Sequence, residues 1–408
     1  MRRCPIPAFF ALILFLTGFC GLAHAATFEF HGGFYTSYEY TDNYLGIPGN
    51  EQSDTIYEIG PSAQLLCRSA NTTLDLSGHA SRSFHQEYDD DDDTEVLLNS
   101  LYSASTIRDT LELGYGYTQT SRREDLTDAR GNSVIHNGTL NYNRLLSPAS
   151  SLRVGYVYTQ ERNPSPDDDL VSHGFTGTFA HQLSERNTVR FTQGYSVHNY
   201  DESGDAWILR SSLGLARQVT MRSSLGTDLE YEHNEREDQP DGDIYNAFLS
   251  WGYSLTQATS LSLSAGYSWL SVESTDREQD FAARGELTRR TQNDTLSIRV
   301  SREYTAEFTT DRYGTYDARS IYASWERTLL RDLMLLSNIT YEERKPVSDT
   351  GFNVITEEEK NFTGVVSLNW TPLEYLSIRP SYERLERNRE ISDTVRENRY
   401  RIIAEVRY

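Results

Sequence analysis

The sequence is short of several things. It has three Cys, 11 Pro and 26 Gly in 408 residues, and its 38 Lys+Arg face 60 Asp+Glu, a formal net charge of −22. A membrane-crossing helix needs about 20 consecutive apolar residues, and no such run occurs after residue 22. Mean hydropathy is −0.60, so a helical membrane protein is excluded. The missing basic surplus excludes an ordinary nucleic-acid binder. The Gly and Pro content is too low for a collagen-like or low-complexity chain. Against these shortages stand 27 Tyr and an aromatic content of 12%. Disordered acidic segments are poor in aromatics, so the chain folds. Taken alone, these numbers suit a soluble acidic protein.

The two ends change that reading. Arg2 and Arg3 precede an apolar stretch from Ala8 to Leu22, and Ala23-His24-Ala25 supplies small residues at a cleavage site. This predicts a secretory leader over residues 1–25 and a processed chain of residues 26–408. Removing it takes Lys+Arg from 38 to 36 and the net charge from −22 to −24. It also removes Cys4 and Cys20, so the processed chain is expected to lack an internal disulfide. At the other end, Tyr400, Ile402, Ala404, Val406 and Tyr408 share one face of a strand, because side chains alternate with period two. Arg401, Glu405 and Arg407 share the other. A chain ending on an aromatic residue in phase with an apolar face is similar to the assembly signal of bacterial outer-membrane barrels, with the barrel-assembly machinery as the implied partner.

The same alternation recurs throughout. In residues 110–118, Leu111, Leu113, Tyr115 and Tyr117 oppose Glu112, Gly114, Gly116 and Thr118, and residues 151–159 repeat the device. Leu261, Leu263, Ala265, Tyr267 and Trp269 oppose Ser262, Ser264, Gly266 and Ser268. Leu296, Ile298, Val300 and Tyr304 oppose Ser297, Arg299, Ser301 and Glu303. Such segments predict strands with one apolar and one polar face. Short connections such as Ser147 to Ser150 and Ser184 to Asn187 alternate with longer acidic ones such as Gln86 to Thr94 and Val347 to Glu357. Short periplasmic turns and longer outer loops mark a transmembrane barrel. A sandwich, a β-helix or a propeller also alternates, but none keeps this hairpin spacing over the whole chain.

The expected fold is therefore all-β: one large antiparallel transmembrane barrel of about 20 strands, or 18 if a hairpin near residue 95 or 279 fails to form. Closed barrels and helices are the structures that satisfy every backbone group in hydrocarbon. Expected strand starts are 28, 55, 72, 95, 110, 132, 151, 170, 187, 206, 223, 243, 260, 279, 294, 316, 332, 360, 374 and 397. Aromatics should mark both interfaces. The outer set includes Tyr38, Tyr115, Tyr117, Tyr156, Tyr158, Tyr231 and Trp269, and the inner set includes Tyr142, Phe179, Trp251 and Trp370. The polar phase places Arg153, Arg190, Arg210, Arg299, Arg379 and Arg401 in the lumen with Glu112, Asp228, Glu230, Glu286, Glu303, Glu383 and Glu405. Such charges either set solute preference or pair across strands to stiffen the wall.

The leader, the repeated Leu-x-Leu-Gly-Tyr-x-Tyr strands, Tyr40-Thr-Asp-Asn43 and the terminal aromatic strand resemble the beta-barrel porin 2 family of outer-membrane proteins. The resemblance implies a porin-like channel for small polar solutes or saccharides. It also implies, as an alternative, an exopolysaccharide-export pore with export components as partners. Outer-membrane lipid and lipopolysaccharide are expected surroundings, and no nucleic acid, metal or cofactor is expected. An outer-membrane enzyme or a purely structural barrel are further alternatives. The eight His of the processed chain lie in no HExxH or GxSxG context, so no catalytic residue is assigned. His85, beside the acidic run Asp89 to Asp93, and His198 could meet acidic partners in space. That run and Asp167 to Asp169 lack the spaced ligands of a calcium loop.

Overall fold

A computed structural model describes residues 26–408 apart from 47, 50, 90–91, 124–129, 163–168, 202–203, 238–240, 273–277, 309–312, 347–357 and 390–393. The leader expected over residues 1–25 lies outside the described residues, as do parts of both acidic runs.

Twenty strands form: β1 Thr27–Thr41, β2 Asp54–Arg68, β3 Thr72–His85, β4 Thr94–Ser105, β5 Asp109–Arg123, β6 Arg130–Ser147 and β7 Ser150–Arg162. There follow β8 Leu170–Ser184, β9 Asn187–Tyr200, β10 Ala206–Gln218, β11 Ser223–Arg236, β12 Gly242–Ser254, β13 Thr259–Val272 and β14 Glu278–Arg290. The last six are β15 Asp294–Phe308, β16 Tyr313–Leu330, β17 Leu333–Pro346, β18 Glu359–Leu373, β19 Leu376–Arg389 and β20 Val395–Arg407. Each strand pairs antiparallel with the next, and β20 pairs with β1. The barrel is closed. Every expected start falls within three residues of an observed one, and both doubtful strands exist, so the 18-strand alternative is overturned.

Alternation explains why these segments are strands. On β1, Phe28, Phe30, Phe34 and Tyr38 are exposed on the outside, while Tyr35 and Ser37 are buried on the inside. The pattern continues around the wall, with Leu213, Leu229, Leu249, Phe281, Ile321, Ile339 and Ile402 exposed outward. An apolar exterior this extensive suits hydrocarbon rather than water. Closure pairs each strand with two neighbours, which matters because each unpaired backbone group in hydrocarbon would cost several kcal/mol, roughly.

Nine connections of two to four residues lie at one end of the barrel, with both chain ends among them. Gly32 and Tyr408 exchange backbone hydrogen bonds of 3.0 and 2.7 Å. Most of these turns share one device. The hydroxyls of Thr106, Ser184 and Thr220 each accept the N–H groups two and three residues on, and those of Ser147 and Thr256 accept the one two residues on. A short hydroxyl side chain thus closes the turn without help from the other end. This is the periplasmic end, and the other ten connections, nine of them of five residues or more, are at the outer end.

Two glycines make corners. A Cβ on Gly60 would lie 1.8 Å from the Ala80 carbonyl oxygen, and one on Gly266 would lie 1.8 Å from that of Ala247. Gly at such points lets one backbone bend onto its neighbour, which is how sheets are curved into barrels.

Candidate functional site

All thirteen charged residues proposed for the lumen lie on the face opposite the exposed apolar side chains, as their strand registers require. Their surroundings differ. Arg210 pairs with Glu232, Arg299 with Glu286 at 3.0 Å, Arg379 with Glu405 at 3.6 Å and Glu383 with Arg399 at 3.9 Å. Glu230 and Glu303 both bind Arg284. Asp228 accepts the Ser250 hydroxyl at 3.3 Å. Glu112, Arg153 and Arg190 make no ion pair among the described residues, and all three are exposed although they face inward.

A tight constellation lies where the sheet closes. Glu58 on β2 accepts bonds from Tyr35 at 2.8 Å, Ser37 at 2.7 Å and Arg401 at 2.9 Å. Arg401 also lies 3.6 Å from Glu39, and the His79 ring stacks on Tyr35 at 4.8 Å. Arg401 was singled out from the sequence; Glu58, Glu39 and Arg284 were not. The pairing of β20 with β1, which sets Glu39 opposite Arg401, brings these partners together.

Burial varies along the axis. Toward the periplasmic end, Glu112, Arg153 and Arg190 stand in open space. Toward the outer end, lumen-facing Leu170, Tyr200, Ala206, Ile208, Ile244, Leu270 and Val272 form one buried cluster. Opposite them Thr41, Asp54, His85, Glu359 and Glu397 are buried as well. Inward-facing side chains are thus more often buried toward the outer end than beside Glu112, Arg153 and Arg190. Tyr304 corrects an expectation: it is in phase with lipid-facing Val300, yet it joins the inner cluster. Pairing of β14 with β15 stops at Ala283–Arg302, which frees the outer end of β15 to turn inward.

His85 does meet an acid. Its Nδ1 lies 2.7 Å from Asp54, and both side chains are essentially inaccessible. The other Asp54 oxygen accepts the N–H groups of Thr55 and Glu87, and Asp92 accepts that of His85. The pair fastens the two outer connections at residues 42–53 and 86–93. Nε2 of His198 lies 3.3 Å from the Ser196 hydroxyl.

The exterior carries two aromatic rims. The expected tyrosines are present, but the structure adds histidines that carried no sequence signal. His136 bonds Tyr115 at 2.8 Å, His173 bonds Tyr156 at 2.9 Å, and His233 packs on Trp207 at 4.9 Å. At the inner rim His181 stacks on Phe179. A ring with an apolar body and a polar edge suits the boundary between hydrocarbon and headgroups. Along β15 to β18 the outer rim is charged instead, with Arg302–Asp317 and Arg319–Glu343 pairs. There the Lys360 ammonium, bonded to Glu358, holds that carboxyl below the usual carboxylate range. Tyr400, Ile402, Ala404 and Val406 face outward from β20, and Tyr408 stacks on Tyr375.

A closed 20-strand barrel with an apolar exterior between aromatic rims defines an outer-membrane β-barrel protein, and the outer membrane is where it resides. The family described as "Putative MetA-pathway of phenol degradation" matches residues 184–319, a third of the chain. The siderophore receptor PirA from Pseudomonas aeruginosa has a similar fold, at 12% identity and a TM-score of 0.52, over 94% of this chain and 81% of that one. The ferric enterobactin receptor PfeA from the same organism aligns at 10% identity and 0.49, over 95% and 82%. OpdQ, also from P. aeruginosa, aligns at 12% and 0.41, over 93% and 97%. At these identities the likeness concerns fold alone, and it rests on the first of the three. No curated protein sequence matches the chain.

Proposed function

We propose that the protein is a porin-like channel for small polar solutes or saccharides, with its narrow point at the outer mouth. The observation that carries this reading is the exposure of Glu112, Arg153 and Arg190 on the inner face. Charges left unpaired inside a closed wall require water around them. Barrels of 16 to 18 strands leave an aqueous channel, and the present one is wider. Small residues such as Asn141, Thr178 and Gly214 sit beside the three charges, which keeps that part of the wall smooth.

A kinship with the beta-barrel porin 2 family fits this reading and remains part of the proposal. Export of an acidic polysaccharide would need a continuous basic track, whereas most lumen arginines are neutralised by carboxylates. We read the chain as a non-enzyme: of the two close His–Asp pairs among the described residues, His85–Asp54 is sealed from solvent and His233–Asp243 sits on the outward face of β11 and β12.

Planar-bilayer recording on the refolded barrel tests the channel. Stepwise currents that are reduced by a permeating saccharide are expected. A second arm uses phenol, because of the partial family match. No stepwise current under any voltage or salt condition would overturn the reading.

A further inference from the structure

The lipid-facing wall has a gap. A groove of about 350 Å³ opens outward across β9 to β13. It exists because Ser211 and Ala247 are short, while Phe191, Leu213, Tyr245 and Trp269 stand up around them. These residues share the outward phase of their strands, so the groove faces the hydrocarbon and rises to the outer rim. Its lining is apolar like an acyl chain, and no side chain among the described residues fills it.

Directly above the groove the chemistry changes. The Tyr231 hydroxyl donates to Asp243 at 2.8 Å, and the same carboxylate oxygen lies 2.9 Å from Nδ1 of His233. Trp207 packs against the imidazole at 4.9 Å with the rings tilted by 50°. His233, Glu235 and Asp241 each bring one ligand atom to within 4.8 Å of the others. Nitrogen and carboxylate oxygen around one point can hold a divalent cation, and the carboxylate on His233 is the kind of support that orients a metal-binding imidazole. Two carboxylates would repel a phosphate at headgroup depth. A divalent cation on them reverses that sign and has coordination positions left for phosphate oxygens.

We propose that this strip is a docking site for one phosphorylated, acylated lipid of the outer leaflet, with an acyl chain in the groove and its phosphate held through a divalent cation on His233, Glu235 and Asp241. The two halves arise from unrelated features, side-chain size on β10 and β12 and ligand type at the β11–β12 end, yet they lie one above the other at the depths that one lipid would occupy. The inference rests on the outer-membrane location and not on the channel reading, so a non-conducting barrel would leave it standing.

The test is native mass spectrometry of the full barrel in detergent with lipid A and Mn²⁺. One lipid A is expected to be retained per chain. Retention should fall at least tenfold on adding EDTA, in the double variant Glu235→Gln/Asp241→Asn, and in Ala247→Phe, which fills the groove. Heat-modifiable gel migration checks that each variant is still a barrel, and all these positions lie on the exterior. Equal retention of a phosphate-free analogue, or retention indifferent to the variants, would mean ordinary annular lipid and would overturn the proposal. Loss in Ala247→Phe alone, with no effect of EDTA or of the carboxylate variants, would overturn it too, because the cation bridge would be absent.

Discussion

Arg284 on β14 reaches across β13 and β12 to grip both carboxylate oxygens of Glu230 on β11, each at 2.7 Å. It also bonds Glu303 on β15 and lies over the Phe248 ring at 4.3 Å. A flat wall would hold β11 and β14 about 14 Å apart, at roughly 4.8 Å per strand step. The corner at Gly266 draws them together, and the guanidinium then ties β14 to β11, β12 and β15 with one side chain.

Arg284→Ala should therefore loosen the barrel. Glu230 and Glu303 would face each other with no cation between them. Breaking a buried pair costs about 3–5 kcal/mol; Arg284 is about a third exposed, so solvent screening brings the expected loss to about 1–2 kcal/mol. The temperature of heat-modifiable migration should drop, and adding Glu303→Gln should restore part of it. An unchanged transition would show that the bridge carries no stability.

The inward charges that lack ion pairs should set ion preference. Arg153→Glu with Arg190→Glu is expected to shift the reversal potential in a salt gradient toward cation selectivity, and Glu112→Lys to shift it toward anions. A reversal potential that ignores both would place the conducting path elsewhere.

Gly266→Ala and Gly177→Ala form a matched pair. The first places a methyl group against a backbone carbonyl; the second meets nothing within 4 Å. Overpacking costs about 1–3 kcal/mol, and Gly266→Ala should fall at the upper end or block assembly. Gly177→Ala should change stability by less than about 0.5 kcal/mol. Refolding yield and thermal migration of the two variants, measured side by side, decide this.

Asp54→Ala should act locally. It leaves the His85 ring buried beside an unfilled position and frees the N–H groups of Thr55 and Glu87, a cost of about 3 kcal/mol or more at the outer end. The connections at residues 42–53 and 86–93 should become sensitive to a protease cutting after acidic residues, while the strands stay protected. Unchanged digestion would mean that the loops are held by other contacts.

Much of the architecture was legible because a membrane strand writes a period-two pattern that does not depend on distant contacts. Leu111, Leu113, Tyr115 and Tyr117 declare their face within nine residues, and Thr106, Ser184 and Thr220 close their turns within four. The candidate lumen was legible only as a phase. From the sequence, Arg153 and Arg401 look alike: each is a polar-phase arginine near the periplasmic half or middle of a strand. In the barrel Arg401 lies among Glu58, Glu39 and Tyr35, whereas Arg153 faces open space. Tyr304 was misplaced for the same reason, since its phase is local but the inward turn of β15 is not.

The sequence by itself determined the number of strands to within one hairpin, which face each one presents to lipid, and where the tight turns fall. These follow from side-chain alternation and from hydroxyls that bond their own backbone, and both are short-range. Tertiary structure alone decided which charges neutralise one another, where the barrel bends at Gly60 and Gly266, and which inward-facing side chains are buried. It also decided that His233, Glu235 and Asp241 stand above a groove made by Ser211 and Ala247. These are relations between strands far apart in the chain, and they come into being only when β20 closes on β1 and sets the curvature of the whole wall.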